Sequence, residues 1–420
     1  MKIPNDVLLI MNTLAEAGYE AYAVGGCVRD SLLGREPKDW DITTDALPEA
    51  VKALFRRTID TGIEHGTVTV MRGKTGYEVT TYRLDGAYSD GRHPDSVTFT
   101  PELREDLRRR DFTINAMACA ADGTLVDLFG GQEDLEKRVV RCVGDPDERF
   151  TEDALRILRA VRFSAQLDFA IEPETWEALR RHAPNLVHVS RERILAELTK
   201  TLLSEHPERL SELGPAGILE WLPEQFAECH ADRRAAALPE ERSIRWTGVF
   251  AESAPETVRD LLKELKSDRD TMDRAALLTR EVKKPLPETA AETRILLSEI
   301  GPERFADLIL LKKAGYGLNA DTGAAAGIGN PGRTAAERIR RAETLAAEIL
   351  SRGDCISLKQ LALTGRDLIA LGVKPGPELG KKLAFLFRKV LEQPELNEKE
   401  TLKKLLAEKR PGGRRHASST

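Results

Sequence analysis

Ala23-Val24-Gly25-Gly26-Cys27-Val28-Arg29-Asp30-Ser31-Leu32-Leu33-Gly34, followed ten residues after Arg29 by Asp39-Trp40-Asp41-Ile42-Thr43, is the stretch on which the reading of this chain turns. The first part reads as a β-strand that ends in two glycines and feeds a short helix closed by Gly34. Glycines at such a junction let backbone N–H groups approach a phosphate, and Arg29 adds a cation within the first helical turn. A tight strand-to-helix turn with nothing bound would use the same glycines. In the second part, alternation along a strand puts the carboxylates of Asp39 and Asp41 on one face. Two like charges side by side are costly unless a cation lies between them, and oxygen-only ligands favour Mg²⁺ over zinc. The competing reading is a loop in which both aspartates are solvated or cap the next helix.

Outward from this stretch, β-branched runs continue at Glu20 to Val24, Thr67 to Met71, Tyr77 to Tyr82 and Val97 to Thr100, so that an α/β region extends to about Arg141. From Asp147 onward such runs disappear, and Glu152 to Gln166, Arg191 to Leu203 and Ala335 to Leu350 read as amphipathic helices. The expected class is α+β, a head with a small mixed sheet followed by an all-helical remainder. Breaks are expected at Pro285 and Pro287, in the Gly/Ala run from Gly323 to Gly332, and at Pro375 to Pro377, and the terminal 411–420 is expected to be disordered.

Composition limits the function. A chain of 420 residues with 41% hydrophobic content can bury several modest cores. Cys27, Cys119, Cys142, Cys229 and Cys355 are scattered without metal-ligand spacing, which fits a reducing cytoplasm and neither a zinc site nor a disulfide framework. No apolar run approaches the length needed to span a membrane. The net charge of −6 argues against indiscriminate nucleic-acid binding, but cations cluster at Arg104 to Arg110, at Arg149 to Arg162 and at Lys399, Lys403, Lys404, Lys409, Arg410, Arg414 and Arg415. The last cluster also suits a plain solvated helix face.

The Gly-Gly turn followed at short range by D-x-D resembles the catalytic core of the DNA polymerase β-like nucleotidyltransferases. Two further stretches, Arg109-Arg110-Asp111-Phe112-Thr113-Ile114-Asn115-Ala116 and Arg149-Phe150-Thr151-Glu152-Asp153-Ala154-Leu155-Arg156-Ile157-Leu158-Arg159-Ala160-Val161-Arg162-Phe163, resemble the paired signatures of class II tRNA nucleotidyltransferases with no departure in their fixed positions. Asp127-Leu-Phe-Gly-Gly131, Asp134-Leu135 and Ser190-Arg-Glu-Arg193 extend the likeness, which is strong from Ala21 to about Leu203 and thin beyond it. The resemblance implies a nucleotidyltransferase head over 1–141, a base-selecting neck over 142–204, a body over 205–322 and a tRNA-binding tail over 323–410. It also implies two Mg²⁺ ions at Asp39 and Asp41, with Glu78 as either a third carboxylate or an outward strand residue. The implied substrates are CTP, ATP and the tRNA 3′ end, and the implied nucleotide-binding residues are Gly26, Arg29, Arg110, Asp153, Arg156, Arg159 and Arg162.

At about 100° per residue, Glu152, Asp153 and Arg156 share one arc of a helix while Leu155, Leu158 and Val161 face elsewhere. An ordinary surface ion pair would use the same spacing. Under the resemblance, Asp153 and Arg156 act as a protein template, with Glu152 holding the arginine. Cytosine and adenine present an amine donor beside a ring-nitrogen acceptor, whereas an ionised Asp only accepts and an Arg only donates. The nearest alternative is a poly(A) polymerase, which in this superfamily carries G-R-R-F-x-x-x-H where this chain has Gly62-Ile63-Glu64-His65-Gly66-Thr67-Val68. A CC-only enzyme is expected to lack the polar segment found here from Leu84 to Asp95, and an attached phosphohydrolase to carry His-Asp pairs that are missing here. A-adding enzymes and a non-catalytic RNA-binding protein complete the alternatives.

Overall fold

The computed structural model describes residues 1–86, 97–318 and 334–408. By contacts the chain divides into two compact units, Met1–Ala236 with Asp260–Asp268, and Ala237–Arg259 with Arg269–Thr420. Most of the 84–95 segment, the 323–332 run and the 411–420 terminus fall outside the described residues.

The first unit opens with helix α1 (Asn5–Glu16), whose Val7, Ile10, Met11 and Leu14 are buried at the i, i+3, i+4, i+7 spacing of a single apolar stripe. The strands of the head follow as β1 (Ala21–Val24), β2 (Asp41–Thr44), β3 (Thr58–Gly62), β4 (Thr67–Arg72), β5 (Thr75–Thr81), β6 (Arg83–Asp85), β7 (Val97–Phe99), β8 (Met117–Cys119) and β9 (Leu125–Asp127). Seven of them form a mixed sheet in the order β3-β4-β5-β2-β1-β8-β9, in which β2 and β5 run parallel and the other neighbours antiparallel. The sheet is thus the small mixed one expected, with β2 at its centre. The strand at 41 begins later than expected, because Asp39 and Trp40 precede the ladder and Trp40 is instead buried beside it.

Helices α2 (Gly26–Leu32), α3 (Pro48–Leu54), α4 (Leu103–Arg108) and α5 (Gly131–Lys137) connect the strands. The phrase Asp127 to Gly131 proves to be a helix start: the Asp127 carboxylate accepts from the backbone N–H of Gly131 (2.8 Å) and of Gln132 (2.9 Å), satisfying donors that open the first turn of α5. A Cβ on Gly131 would lie 2.4 Å from the Thr113 carbonyl oxygen, so this close approach of two backbones requires glycine.

The remainder is mostly helical, with two departures from the sequence reading. First, Glu152 to Gln166 is not one helix. Helix α6 (Pro146–Glu152) ends at Asp153, whose φ of −143° and ψ of 103° are extended, and α7 (Leu155–Leu167) restarts two residues later. The Asp153 carboxylate caps that restart by accepting from the Leu155 N–H at 3.0 Å, which is what an aspartate at a helix start does in competition with continued helix. Second, a short strand occurs inside the helical region. Arg138 and Asp168, both at left-handed φ (57° and 56°), terminate α5 and α7 and throw the chain into β10 (Val139–Val140) and β11 (Ala170–Ile171), which pair in parallel. Their side chains join across that pair at 3.0 Å. Helices α8 (Pro173–His182) and α9 (Arg191–Leu202) complete the neck region, and residues 207–237 carry short 3-10 turns rather than long helices.

The second unit is helical. One core gathers Leu278, Val282, Leu297, Leu311 and Ile349, and another gathers Leu363, Leu368, Leu386, Val390 and Leu402. In the latter, helix Gly365–Ala370 starts in a capping box made by Thr364 and Asp367, and helix Pro377–Glu392 follows Gly376 at a φ of 140°. Lys399 pairs with Asp367 at 2.5 Å. No helix of the described residues is long and apolar enough to cross a membrane.

Candidate active site

Antiparallel pairing of β1 with β2 sets Val24 opposite Asp41, so the Gly25-Gly26 turn leaves the sheet beside the residue at which the central strand begins. Gly25 has a φ of +82°, a conformation strained for any side chain, and a Cβ there would come within 3.0 Å of the Arg110 guanidinium. On the other side of β2, Ile42 pairs with Val79, which brings Glu78 of β5 alongside Asp41. Asp41 is exposed at the cleft mouth although protein surrounds its carboxyl on most sides. Its pKa is raised, first by that desolvation and then by the charges of Glu78 and Asp39, with Arg110 opposing. The carboxylates of Glu78 and Asp39 are therefore near enough to act on the charge of Asp41. Among the described residues no group of three His, Cys, Asp or Glu side chains is arranged to hold a metal ion unaided. Mg²⁺ does not need such a cage, since it takes one or two carboxylates and completes its shell with water and substrate phosphates.

Beside these carboxylates lies a cleft of about 490 Å³ lined by Gly25, Gly26, Asp41, Asp111, Asn115, Asp153, Leu155, Phe163 and seven arginines: Arg29, Arg109, Arg110, Arg156, Arg159, Arg162 and Arg193. So many guanidiniums around one small volume suit a polyanion. Each is held by a neighbour. Arg29 donates from Nη1 to Asn115 Oδ1 at 2.6 Å and pairs with Asp30 at 2.8 Å. Asn115 in turn donates to Asp111 at 3.1 Å, and Arg159 Nε donates to the other Asp111 oxygen at 2.8 Å. One polar chain thus ties the Gly-Gly helix, the first signature and the second. Burial alone would raise Asp111, but Arg159, Asn115 and Arg156 hold its carboxyl well below the usual range. Arg109 and Arg110 both meet the buried Asp106, at 2.7 and 3.3 Å, and the buried Arg110 Nε has no hydrogen-bond partner among the described residues. Arg162 lies 2.5 Å from Glu197 of α9, and burial pulls its pKa down against the opposing charge of Glu197.

Asp153 and Arg156 both face the cleft, although by a different route from the one expected. The helix break puts Asp153 in extended backbone between α6 and α7, with Arg156 in the first turn of α7. Glu152 closes α6 and bridges Arg149 and Arg156, each at 2.5 Å, while Arg156 also donates to the carbonyls of Arg149 (3.2 Å) and Arg109 (2.9 Å). Arg193 of α9 grips Asp153 at 2.7 Å. Glu152 and Asp39 do not themselves line the cleft: Glu152 acts on Arg156 from behind, and Asp39 acts on the charge of Asp41.

The sequence reading did not single out Asp111, Asn115, Phe163 or Arg193 as site residues. The first three stand inside the two signatures, and Arg193 ends the quoted Ser190-Arg-Glu-Arg193, so the signal was present as motif but not as geometry. Among the tail lysines, Lys382 pairs with Glu378 (3.2 Å) and Lys403 with Glu400 (2.6 Å).

A mixed sheet carrying a Gly-Gly turn beside acidic side chains, opening on an arginine cleft, defines a nucleotidyltransferase. The family model described as "Poly A polymerase head domain" matches residues 21–141, and the model for tRNA nucleotidyltransferase domain 2 matches 335–406. The CCA-adding enzyme of Levilactobacillus brevis is 40% identical over 94% of this chain and 95% of its own, and that of Geobacillus kaustophilus is 40% identical over 97% and 98%. The crystal structure of the Bacillus stearothermophilus CCA-adding enzyme in complex with CTP is similar at a TM-score of 0.79 and 34% identity, covering 97% of this chain and 98% of that one. The chain belongs to the family of CCA-adding enzymes, the tRNA nucleotidyltransferases.

Proposed function

We propose that the arginine cleft binds CTP and ATP in turn and that Asp39 and Asp41 hold two Mg²⁺ ions at its mouth, where the 3′ end of tRNA is extended. The observation that carries this reading is the single cavity shared by the Gly25-Gly26 turn, Asp41, seven arginines and Asp153. The carboxylates fit the metal because burial and then the negative charges of Glu78 and Asp39 disfavour the ionised form of Asp41, with Arg110 opposing in part. What the metal supplies there, when bound, is activation of the attacking 3′-hydroxyl and neutralisation of the leaving pyrophosphate. Glu78, beside Asp41 across the β2–β5 pairing, is the candidate for a third carboxylate.

The protein's own groups do the rest. Gly26 and Arg29 meet phosphate where the sheet ends, and Arg110, Arg159 and Arg162 hold the triphosphate and ribose. Asp153 accepts from the exocyclic amine of C or A, and Arg156 donates to the adjacent ring nitrogen, so that U and G, with the opposite pattern, are refused without any nucleic-acid template. Glu152 and Arg193 fix the two reading side chains. The finer division into head (1–141), neck (142–204), body (205–322) and tail (323–410) gives the tail the grip on the tRNA sugar-phosphate backbone. Five free cysteines, four of them buried, suit a reducing cytoplasm.

The test incubates the protein with tRNA lacking its terminal CCA, Mg²⁺ and each nucleotide. The reading expects two additions with CTP alone, a third when ATP is present, and arrest there. Long A tails would favour a poly(A) polymerase, and arrest after two additions a CC-only enzyme.

A further inference from the structure

One aromatic residue from each of the two signatures meets the other in the structure. Phe112, from the first, and Phe163, from the second, pack edge to face with ring centroids 5.7 Å apart and planes at 79°. Phe163 is almost fully buried, yet its ring reaches the cleft wall. Three guanidiniums surround it: Arg162 at 4.1 Å from the ring centroid, Arg29 at 5.1 Å and Arg159 at 5.4 Å. These come from two helices, α2 and α7, and are the cations to which the proposed function gives the triphosphate and ribose.

Three like charges around one ring repel before any anion arrives, and each has a polar partner: Asp30 and Asn115 for Arg29, Asp111 for Arg159 and Glu197 for Arg162. Asn115 and Asp111 link Arg29 to Arg159, whereas Glu197 of α9 holds Arg162 outside that chain, so no polar group among the described residues joins all three. What all three share as a neighbour is the π system of Phe163, whose negative face attracts cations. A hydrocarbon of the same bulk would fill the space without that attraction.

We infer that Phe163 is a positioning residue that holds Arg29, Arg159 and Arg162 converged on the incoming triphosphate before it binds. This rests on the assignment of those arginines to the nucleotide. The ring touches no reacting atom in this account. Its effect is on how much ordering remains to be done when the nucleotide enters, so it acts on affinity and equally for both nucleotides.

The experiment replaces Phe163 by phenylalanine analogues carrying one, two and three ring fluorines, which keep shape and burial but withdraw charge from the ring face, and by Leu. KM and kcat are measured separately for CTP and ATP on the full-length protein, with Arg162→Ala and Arg29→Ala alongside. KM is expected to rise stepwise with fluorine number, reaching about tenfold for the Leu variant on the usual scale of a desolvated cation–π contact. That rise should be equal for CTP and ATP, with kcat and the discrimination against UTP little changed. A flat KM across the fluorinated series, while the arginine variants raise KM, would overturn the inference and leave the assignment of the arginines standing. If the arginine variants also leave KM unchanged, the assignment itself fails. A Leu variant that unfolds would not obscure the outcome, since the fluorinated series leaves packing intact.

Discussion

Replacing Arg156 by Ala should cost selectivity more than stability, and the size of the loss can be worked from its hydrogen bonds. A guanidinium has five N–H donors. Three are committed in this structure: Nη1 to the Arg149 carbonyl at 3.2 Å and to Glu152 at 2.5 Å, and Nη2 to the Arg109 carbonyl at 2.9 Å. That leaves Nε–H and one Nη2 donor to meet a base edge. Opposite them, Asp153 spends one oxygen on Arg193 (3.3 Å) and the Leu155 N–H (3.0 Å), and the other on Arg193 alone at 2.7 Å, so one oxygen retains accepting capacity. The pair therefore offers donors beside an acceptor, held on three sides. A good edge contact discriminates by about 1–3 kcal/mol, or roughly ten- to a hundredfold. Arg156→Ala should lose about that much preference for CTP and ATP over UTP and GTP, beyond any general fall in rate. The fold should survive, because Glu152 keeps Arg149 at 2.5 Å and is itself a quarter exposed. The assay is steady-state incorporation of all four nucleotides on one tRNA primer, with a melting curve as control. If every nucleotide slows equally and the C and A preference persists, the templating role is wrong.

Asp111→Asn should destabilise the protein by on the order of 2–3 kcal/mol at neutral pH, less than for a fully buried pair because the Arg159 side chain is 32% exposed. Because the folded Asp111 pKa lies below its unfolded value near 4, its contribution is present above about pH 4 and is lost as pH falls below that. Urea melts from pH 5 downward should therefore fall less steeply for Asp111→Asn than for wild type. Gly25→Ala adds a side chain at a φ of +82° and within 3.0 Å of the Arg110 guanidinium, so nucleotide KM should rise several-fold while Gly18→Ala, also at positive φ but in open space, leaves it unchanged. Neutralising Lys381, Lys382, Lys403 and Lys404 should weaken tRNA binding and flatten its dependence on salt without altering nucleotide choice; an unchanged salt slope in a filter-binding series would make the cluster an idle solvated face.

Much of the fold and the candidate site could be read in advance because local chemistry and global architecture agree there. The Gly-Gly turn, the carboxylates and the alternating strands each fix their own neighbourhood, and the pairing of Val24 with Asp41 does no more than bring them together. The helix break at Asp153 was less legible. From Glu152 to Gln166 the spacing is compatible with uninterrupted helix, and only the Asp153 side chain, capping Leu155 and gripped by Arg193 forty residues later, decides otherwise. Non-local partners also hid the placement of Phe163 and Asn115, since nothing in sequence spacing says that Arg29 and Arg159 meet at one aromatic ring. Strand β11 escaped for a related reason: two residues following a left-handed Asp168 carry no periodicity, and they become a strand only because Val139–Val140 stands beside them.

The central claim is that carboxylates at the start of the central strand perform nucleotidyl transfer beside an arginine cleft that binds the nucleotide independently of them. It is tested most directly by measuring, for Asp39→Ala and Asp41→Ala, both turnover with CTP and tRNA in Mg²⁺ and equilibrium binding of CTP. The account predicts that turnover falls by several orders of magnitude for both C and A addition while CTP affinity without metal changes little, because the loss falls on charge developing in the transition state. Near-normal turnover in either variant would contradict it.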